Sequence, residues 1–150
     1  MKKWMLLGLG LVAFSLVNGQ VRNPVEWSFS AKKINATTYE IHMTAQIENG
    51  WHTYSQTTPE GGPVPTSISF VKNPLVSLSG TAKEVGKLEK HHEKIFGVIV
   101  KQFSDKVDFV QTVTLKSAAK TAIKGSVEYM VCNDHECLPP STENFSIELK

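Results

Sequence analysis

The stretch YEIHMTAQIENG, residues 39–50, decides the fold class, because apolar and polar residues alternate along it. The apolar residues stand at every second position: Tyr39, Ile41, Met43, Ala45 and Ile47. Strict alternation is typical of a β-strand that buries one face and exposes the other. The run ends at Asn49 and Gly50, a dipeptide favoured in the tight turns between antiparallel strands. This stretch therefore predicts a long strand followed by a turn.

The same period of two recurs along the rest of the chain. Shorter alternating runs contain these apolar residues: Val25, Trp27 and Phe29; Ile68 and Phe70; Val98 and Val100; Val107, Phe109, Val113 and Leu115; Val127, Tyr129 and Val131; Phe145, Ile147 and Leu149. Residues 79–90 come nearest to a helical pattern, but Gly80 and Gly86 oppose a helix there. Short strands with turn signals between them predict an all-β fold, an antiparallel β-sandwich of about seven to nine strands.

The N-terminal segment has the pattern of a secretory signal peptide. Lys2 and Lys3 form a positive start, and an uncharged apolar stretch follows them. Val17 and Gly19 then supply the residues that a signal peptidase needs, so we expect a signal peptide over residues 1–19. The apolar stretch is short for a bilayer span, and no later segment of the mature chain could cross a membrane. Cleavage near Gly19 therefore predicts a periplasmic or otherwise secreted protein.

The excess positive charge of the chain belongs to this segment. The chain carries 16 basic and 14 acidic residues, a formal net charge of +2. Loss of Lys2 and Lys3 leaves residues 20–150 formally neutral, which gives no indication of nucleic-acid binding. The length of this mature part predicts one domain.

The chain has two cysteines, Cys132 and Cys137, in the stretch VCNDHECLPP, residues 131–140. Thiols this close in sequence can close a small loop, and outside the cytoplasm such a pair oxidises unless a partner reduces it. A bridge across so few residues stabilises a fold by only about 2 kcal/mol in the loop-closure model. The pair is therefore better placed to react than to brace the fold.

Strand parity predicts where the pair lies. If Val127, Tyr129 and Val131 face the core, Cys132 points the other way or sits at the end of its strand. We therefore expect the cysteines at an edge of the sandwich, within reach of a partner, and we expect Tyr129 to fill the core beneath them.

Three segments match the pattern of a known family. GSVEYMVCNDHECLPPSTENFSIEL, residues 125–149, combines an aromatic-containing strand, a cysteine pair, Pro-Pro and a closing strand. GWHTYS, residues 50–55, is followed by GPVPTSISF, residues 62–70, and HHEKIFG occupies residues 91–97. Together they resemble the N-terminal periplasmic domain of the thiol:disulfide interchange protein DsbD family. Residues 91–97, hereafter the cap segment, are similar to the loop that folds over the cysteines in that family.

The resemblance implies an immunoglobulin-like sandwich that carries electrons outside the cytoplasm, in processes that include cytochrome c biogenesis. Cys137 is then the thiol that forms a mixed disulfide with a thioredoxin-like periplasmic partner, and Cys132 is the thiol that resolves it. The sequence ends directly after the last predicted strand, so we expect any electron donor, such as a membrane electron transporter, to act in trans. No cofactor is expected.

The resemblance also assigns roles within the cap segment. Phe96, together with Ile95 and the adjoining Gly97, is expected to shield the cysteine pair. Glu93 falls near the acidic residues of the family's cap. His91, His92 and Lys94 make this cap segment more basic than is usual in the family.

Residues around the thiols are candidates for tuning their reactivity. Asp134 and Glu136 bring negative charge, which raises a thiol pKa, whereas a protonated His135 lowers it. These effects oppose each other, and no helix N-terminus is predicted nearby. We therefore predict no strongly acidic thiol and a rather reducing couple, with Tyr129 as a further tuning residue.

Two other interpretations stay open. The bridge could be structural, within a non-catalytic secreted interaction module, because secreted β-sandwiches often carry inert disulfides. Alternatively, Cys132, His135 and Cys137, with His91 or His92, could form a soft nitrogen and sulfur site for zinc or copper. The spacing fits no standard zinc pattern, and a disulfide would abolish such a site.

Overall fold

The structure is a computed structural model that describes residues 22–150. The predicted signal peptide, residues 1–19, lies outside the described residues. The described chain forms eleven strands, with the following bounds: β1 Val25–Lys33, β2 Thr38–Ile47, β3 His52–Tyr54, β4 Ser67–Phe70, β5 Val76–Gly86, β6 Glu89–Glu93, β7 Val98–Ser104, β8 Lys106–Leu115, β9 Thr121–Tyr129, β10 Val131–Cys132 and β11 Ser141–Leu149. Residues 22–150 contain no helix, and hence none that could span a membrane.

The strands form three antiparallel sheets. Their strand orders are β1-β2-β8-β5, β10-β3-β7-β6 and β11-β9-β4. The prediction of an all-β, immunoglobulin-like antiparallel sandwich is confirmed. The strands number eleven and not seven to nine, because β3 and β10 have only three and two residues and β6 has no apolar residue. Such strands leave no alternating pattern in the sequence.

The main core lies between the first and third sheets and is rich in aromatic rings. Trp27 of β1 stacks on Phe109 of β8, with ring centroids 6.0 Å apart, and packs at a tilt against Tyr129 of β9, 5.2 Å away. Phe29 of β1 stacks on Phe145 of β11 at 5.0 Å. Each such pair contributes roughly 1 kcal/mol beyond the burial of apolar area. These contacts hold β1 against β9 and β11, and so fix the strand that leads into the cysteines.

The alternation that predicted β2 is confirmed by burial. The five alternating apolar residues of this strand are all buried in the main core: Tyr39, Ile41, Met43, Ala45 and Ile47. A second, smaller core cluster lies on the second sheet and consists of Tyr54, Val100 and Cys132. The cysteine pair therefore belongs to a separate piece of the core.

The chain changes sheets between β9 and β10. Cys132 ends β10, an edge strand, as expected, and the crossing explains why it is nevertheless buried. Val131 still faces the main core, as predicted, but Cys132 is also completely buried, in the second cluster. The carbonyl of Met130, between the two strands, accepts a hydrogen bond of 3.0 Å from the hydroxyl of Thr53. A prediction from strand parity assumes one continuous strand in one sheet. Here the consecutive residues Val131 and Cys132 lie in two different core clusters.

Gly125 offers a test of the packing around β9. A Cβ at this position would clash with the carbonyl oxygen of Ser69 and lie 2.5 Å from Cζ of Phe145. We expect Gly125→Ala to lower the free energy of unfolding in urea by about 2 kcal/mol or more, because neighbouring backbone cannot yield easily. Ser126→Ala, one residue along, is the control and is expected to change it by less than about 0.5 kcal/mol. Equal stability of the two variants would contradict this packing.

Candidate functional site

Cys132 and Cys137 form a disulfide in the structure. Their sulfur atoms are 2.01 Å apart and their Cα atoms 4.1 Å apart, and the two residues face each other in an antiparallel bridge. The two cysteines differ in exposure, since Cys132 is completely buried and Cys137 is partly buried. A reagent or a partner can therefore approach Cys137 and not Cys132.

The loop between the cysteines is held by its own hydrogen bonds. The side-chain oxygen of Asn133 accepts the backbone N–H groups of His135 and Glu136, each over 2.8 Å. The N–H of Asn133 donates to the carbonyl of Glu136 over 2.9 Å. Asp134, His135 and Glu136 are all exposed at the tip. The three predicted tuning residues thus lie on the solvent side of the disulfide.

Apart from Cys137, the residues that pack against Cys132 were not predicted as site residues. Its cluster contains Tyr54 of β3 and Val100 of β7, and Val98, Met130 and Cys137 pack against it. Tyr129, which we expected beneath the thiols, lies instead in the main core, and its hydroxyl donates to Asn23 over 3.4 Å. The crossing at Met130 separates Tyr129 from the disulfide, and Tyr54 takes the expected place.

His52 is the cross-strand neighbour of Cys132, because β3 pairs with β10. Neither His52 nor Tyr54 was among the predicted site residues. His52 begins a strand in which three consecutive residues are buried. Its Nε2 lies 3.1 Å from the hydroxyl oxygen of Tyr54 and 3.3 Å from Oε2 of Glu93. The Tyr54 hydroxyl donates to the same Oε2 over 3.0 Å. No local pattern could have shown this cluster, because Glu93 lies 41 residues from His52.

The cap segment consists of the end of β6 and the turn that follows it. Glu93 is buried, and its Oε1 accepts the N–H of Ile95 over 3.3 Å. Gly97 adopts a left-handed backbone conformation, with φ of 70°, and its N–H donates to the carbonyl of Glu93 over 2.7 Å. Ile95 is 49% exposed, whereas Phe96 is partly buried. Phe96 is not among the partly buried residues that pack against the Cys132 cluster, which are Val98, Met130 and Cys137.

The buried cluster carries one negative charge at neutral pH. Burial alone would raise the pKa of Glu93, but hydrogen bonds from the Ile95 N–H, Tyr54 and His52 together lower it below 4.5. Burial lowers the pKa of His52 below 6.5, and this outweighs the opposing effect of Glu93. Burial and the nearby Glu93 carboxylate raise the pKa of Tyr54. An ionised Glu93 thus accepts hydrogen bonds from a neutral His52 and a neutral Tyr54.

The cysteines and histidines do not form the predicted alternative metal site. Cys132 and Cys137 are joined to each other, and His135 is exposed on the loop tip. Within residues 22–150, no three His, Cys, Asp or Glu side chains are placed so that they could hold a metal ion.

Fold and site together define a class of protein: an all-β sandwich domain with a disulfide of two close cysteines in a small core cluster of its own. A family model described as thiol:disulfide interchange protein DsbD, N-terminal, matches residues 20–149. The chain therefore belongs to the family of DsbD N-terminal domains, which is involved in thiol–disulfide exchange.

Solved structures support the same fold. The N-terminal periplasmic domain of ScsB from Proteus mirabilis is similar with a TM-score of 0.58 and 16% identity over 89% of this chain. The chain spans only about half of that protein's length, 49%. The DsbD N-terminal domain in a complex with the PilB N-terminal domain, from Neisseria meningitidis, has a TM-score of 0.50, with 12% identity over 85% of this chain and 88% of that chain. No curated protein sequence matches.

Replacement of Glu93 by Gln tests the buried carboxylate. Because the pKa of Glu93 is lowered in the folded protein, its ionised form stabilises the fold above about pH 4.5, and this contribution is lost as the pH falls through the lowered pKa. We expect E93Q to reduce the free energy of unfolding by roughly 2 kcal/mol at neutral pH, and the difference from wild type to shrink in acid. Urea titrations at several pH values measure this difference. The exposed Glu136→Gln is the control, and a difference for E93Q that is independent of pH would contradict the assignment.

Proposed function

We propose that this chain is a periplasmic thiol–disulfide exchange domain in which Cys132 and Cys137 cycle between dithiol and disulfide. The observation that carries the proposal is the unequal access to the two sulfur atoms of one disulfide, with Cys132 buried and Cys137 partly exposed. Membership of the DsbD N-terminal family supports the type of reaction.

The unequal access gives the two thiols different roles. In the reduced domain, the thiolate of Cys137 attacks a partner's disulfide, forms a mixed disulfide and releases one partner thiolate. The thiolate of Cys132 then attacks Sγ of Cys137 and releases the second partner thiolate. The domain loses two electrons and two protons and becomes the disulfide, and the partner becomes the dithiol. Reversal of these steps reduces the domain again.

The cap segment controls which molecules reach the pair. The family resemblance assigns Ile95 and Phe96 the shielding of the disulfide from small oxidants, although neither packs against the Cys132 cluster here. Gly97 permits the tight turn that brings the segment back to β7. Glu93 anchors the turn from its inner side through the N–H of Ile95. A docking partner displaces this turn and so gains access to Cys137.

The partners we propose are thioredoxin-like proteins of the periplasm and a membrane electron transporter. The predicted signal peptide, residues 1–19, supports export of the chain to that compartment. The solved complex of a Neisseria meningitidis DsbD N-terminal domain with a PilB N-terminal domain supports a protein, and not a small molecule, as the partner.

A second candidate function is a secreted interaction module with a structural disulfide. The complete burial of Cys132 favours it, because inert bridges are usually buried. The reduction potential separates the two functions. An exchange couple is poised between roughly −120 and −270 mV, whereas a structural bridge resists reduction to below about −300 mV.

A Cys132→Ser variant tests the division of roles. Since Cys137 can attack but nothing can resolve the product, we expect C132S to accumulate mixed disulfides with thioredoxin-like proteins in the periplasm. Non-reducing electrophoresis followed by mass spectrometry detects them. Cys137→Ser is the matched control and is expected to trap few or none. Adducts through Cys132 alone would reverse the roles, and adducts with neither variant would contradict exchange.

A variant with both cysteines replaced by serine tests the structural alternative. The loop is so short that the bridge stabilises the fold by only about 2 kcal/mol. We therefore expect the double variant to remain folded, with near-native far-UV circular dichroism and a small decrease in the urea midpoint. Reduced wild-type protein provides the comparison, because its chain is chemically unchanged. Complete unfolding of both would favour a structural bridge.

A further inference from the structure

A buried carboxylate joins the cap segment to the strand beside the cysteines. Glu93 is 4% exposed, and its two oxygen atoms accept three hydrogen bonds. Two donors, His52 and Tyr54, belong to β3, and the third is the backbone N–H of Ile95 in the cap segment. Glu93 thus ties the cap segment to β3, and β3 pairs directly with β10, the strand that carries Cys132.

The three hydrogen bonds to Glu93 differ in whether they cross from the cap segment to β3. The N–H of Ile95 moves with the cap segment, so its bond to Glu93 can survive an opening of the turn. The bonds from His52 and Tyr54 cross from the cap segment to β3, and opening must break them if Glu93 moves outward. Hydrogen bonds to a charged group are stronger than those between neutral groups. Of the two crossing donors, His52 is the one that titrates near neutral pH.

We propose that His52 is a positioning residue that holds the cap segment over the disulfide through Glu93, and that acidification releases it. The proposal rests on the proposed function, in which the cap segment shields Cys132 and Cys137. It adds a residue of β3 to the site, and it makes access to the disulfide depend on pH.

Several titratable groups surround His52. Glu93 and His91 approach it from β6, Tyr54 from its own strand, and Asp134 from the loop between the cysteines. Two further carboxylates line the cleft of about 420 Å³ beside His52, those of Glu89 and Asp105. Glu89 is paired with Lys87 at 2.9 Å, and His91 and Asp134 have opposite effects on His52. Glu93 is the one carboxylate bonded to His52 itself.

The direction of the pH effect depends on whether His52 binds a proton more readily in the closed or in the open form of the cap segment. Burial keeps His52 neutral in the closed form, with a pKa below 6.5. When the cap segment moves away, His52 gains solvent and its pKa returns towards 6.5, so the open form takes up the proton. Acidification below about pH 6.5 therefore favours the open form. Protonation of Glu93 acts in the same direction at still lower pH, because its pKa is also lowered in the closed form.

The rate of reduction of the disulfide by the small phosphine TCEP measures access without a protein partner. We express it as the ratio of the rate in folded protein to the rate in urea-unfolded protein at the same pH, which removes the pH dependence of the chemistry. In wild type we expect this ratio to rise as the pH falls from about 7.5 to about 5.5, by at most about tenfold per pH unit because one proton is linked. In His52→Gln, which keeps a donor at the same place but does not titrate, we expect the ratio to stay constant.

Two further variants sharpen the test. His52→Ala removes the donor, so we expect its ratio at neutral pH to exceed that of wild type by about tenfold. His92→Gln, an exposed histidine of the same strand as Glu93, is the matched control and is expected to behave like wild type.

The outcomes separate this proposal from the proposed function. A wild-type ratio independent of pH, or an unchanged pH dependence in H52Q, would each overturn the role of His52. None of these results depends on mixed-disulfide formation. Conversely, absence of mixed disulfides in C132S together with the expected TCEP ratios would overturn the exchange function and leave the role of His52 standing.

Discussion

The site depends on the crossing of the chain between two sheets at Met130. The chain leaves β9 after Tyr129 and enters β10 at Val131, so the carbonyl of Met130 is not part of either ladder. This carbonyl is partly buried and would lose stability without a partner, and the hydroxyl of the completely buried Thr53 supplies that partner. This bond fixes β3 against the crossing. It thereby aligns the residues on either side of Thr53, which are His52 and Tyr54, with Cys132.

The same crossing makes the two thiols chemically different. Cys132 lies in an apolar cluster with Tyr54 and Val100, and an apolar environment disfavours a thiolate. The ionised carboxylate of Glu93, bonded to Tyr54, adds a negative charge close to that cluster. Cys137 lies at the end of a loop that reaches solvent. In the exchange that we propose, attack on a partner begins at Cys137 for this reason, and Cys132 reacts once the mixed disulfide lies against it.

Much of the fold could be predicted from the sequence, because long strands with one buried face leave a period of two. Every apolar residue of β2 in the opening stretch is buried as expected. The site could be predicted only in part. Strand parity predicted a reachable Cys132 at an edge of the sandwich and not its burial, because a pattern along one strand does not show a change of sheet between consecutive residues. It also missed β3, where His52, Thr53 and Tyr54 are all buried and no alternation exists. The bond between Glu93 and β3 joins residues that only the folded chain brings together. The resemblance to a family directed attention to Glu93, but it did not identify its partners.

The short loop between the cysteines is compatible with the redox cycling that we propose, because the stability of the fold depends little on a bridge across so few residues. The N–H of Leu138 donates to the carbonyl of Val131 over 3.0 Å, and Asn133 closes the turn with hydrogen bonds of 2.8 to 2.9 Å. These bonds support the loop in addition to the sulfur–sulfur bond. The disulfide spans only five positions, so it removes little freedom from the unfolded chain. A bridge between distant strands has the opposite property, because the fold then depends on its oxidation. The short loop of Cys132 and Cys137 thus fits the electron-carrying role that we propose, in which the domain must stay folded in both redox states.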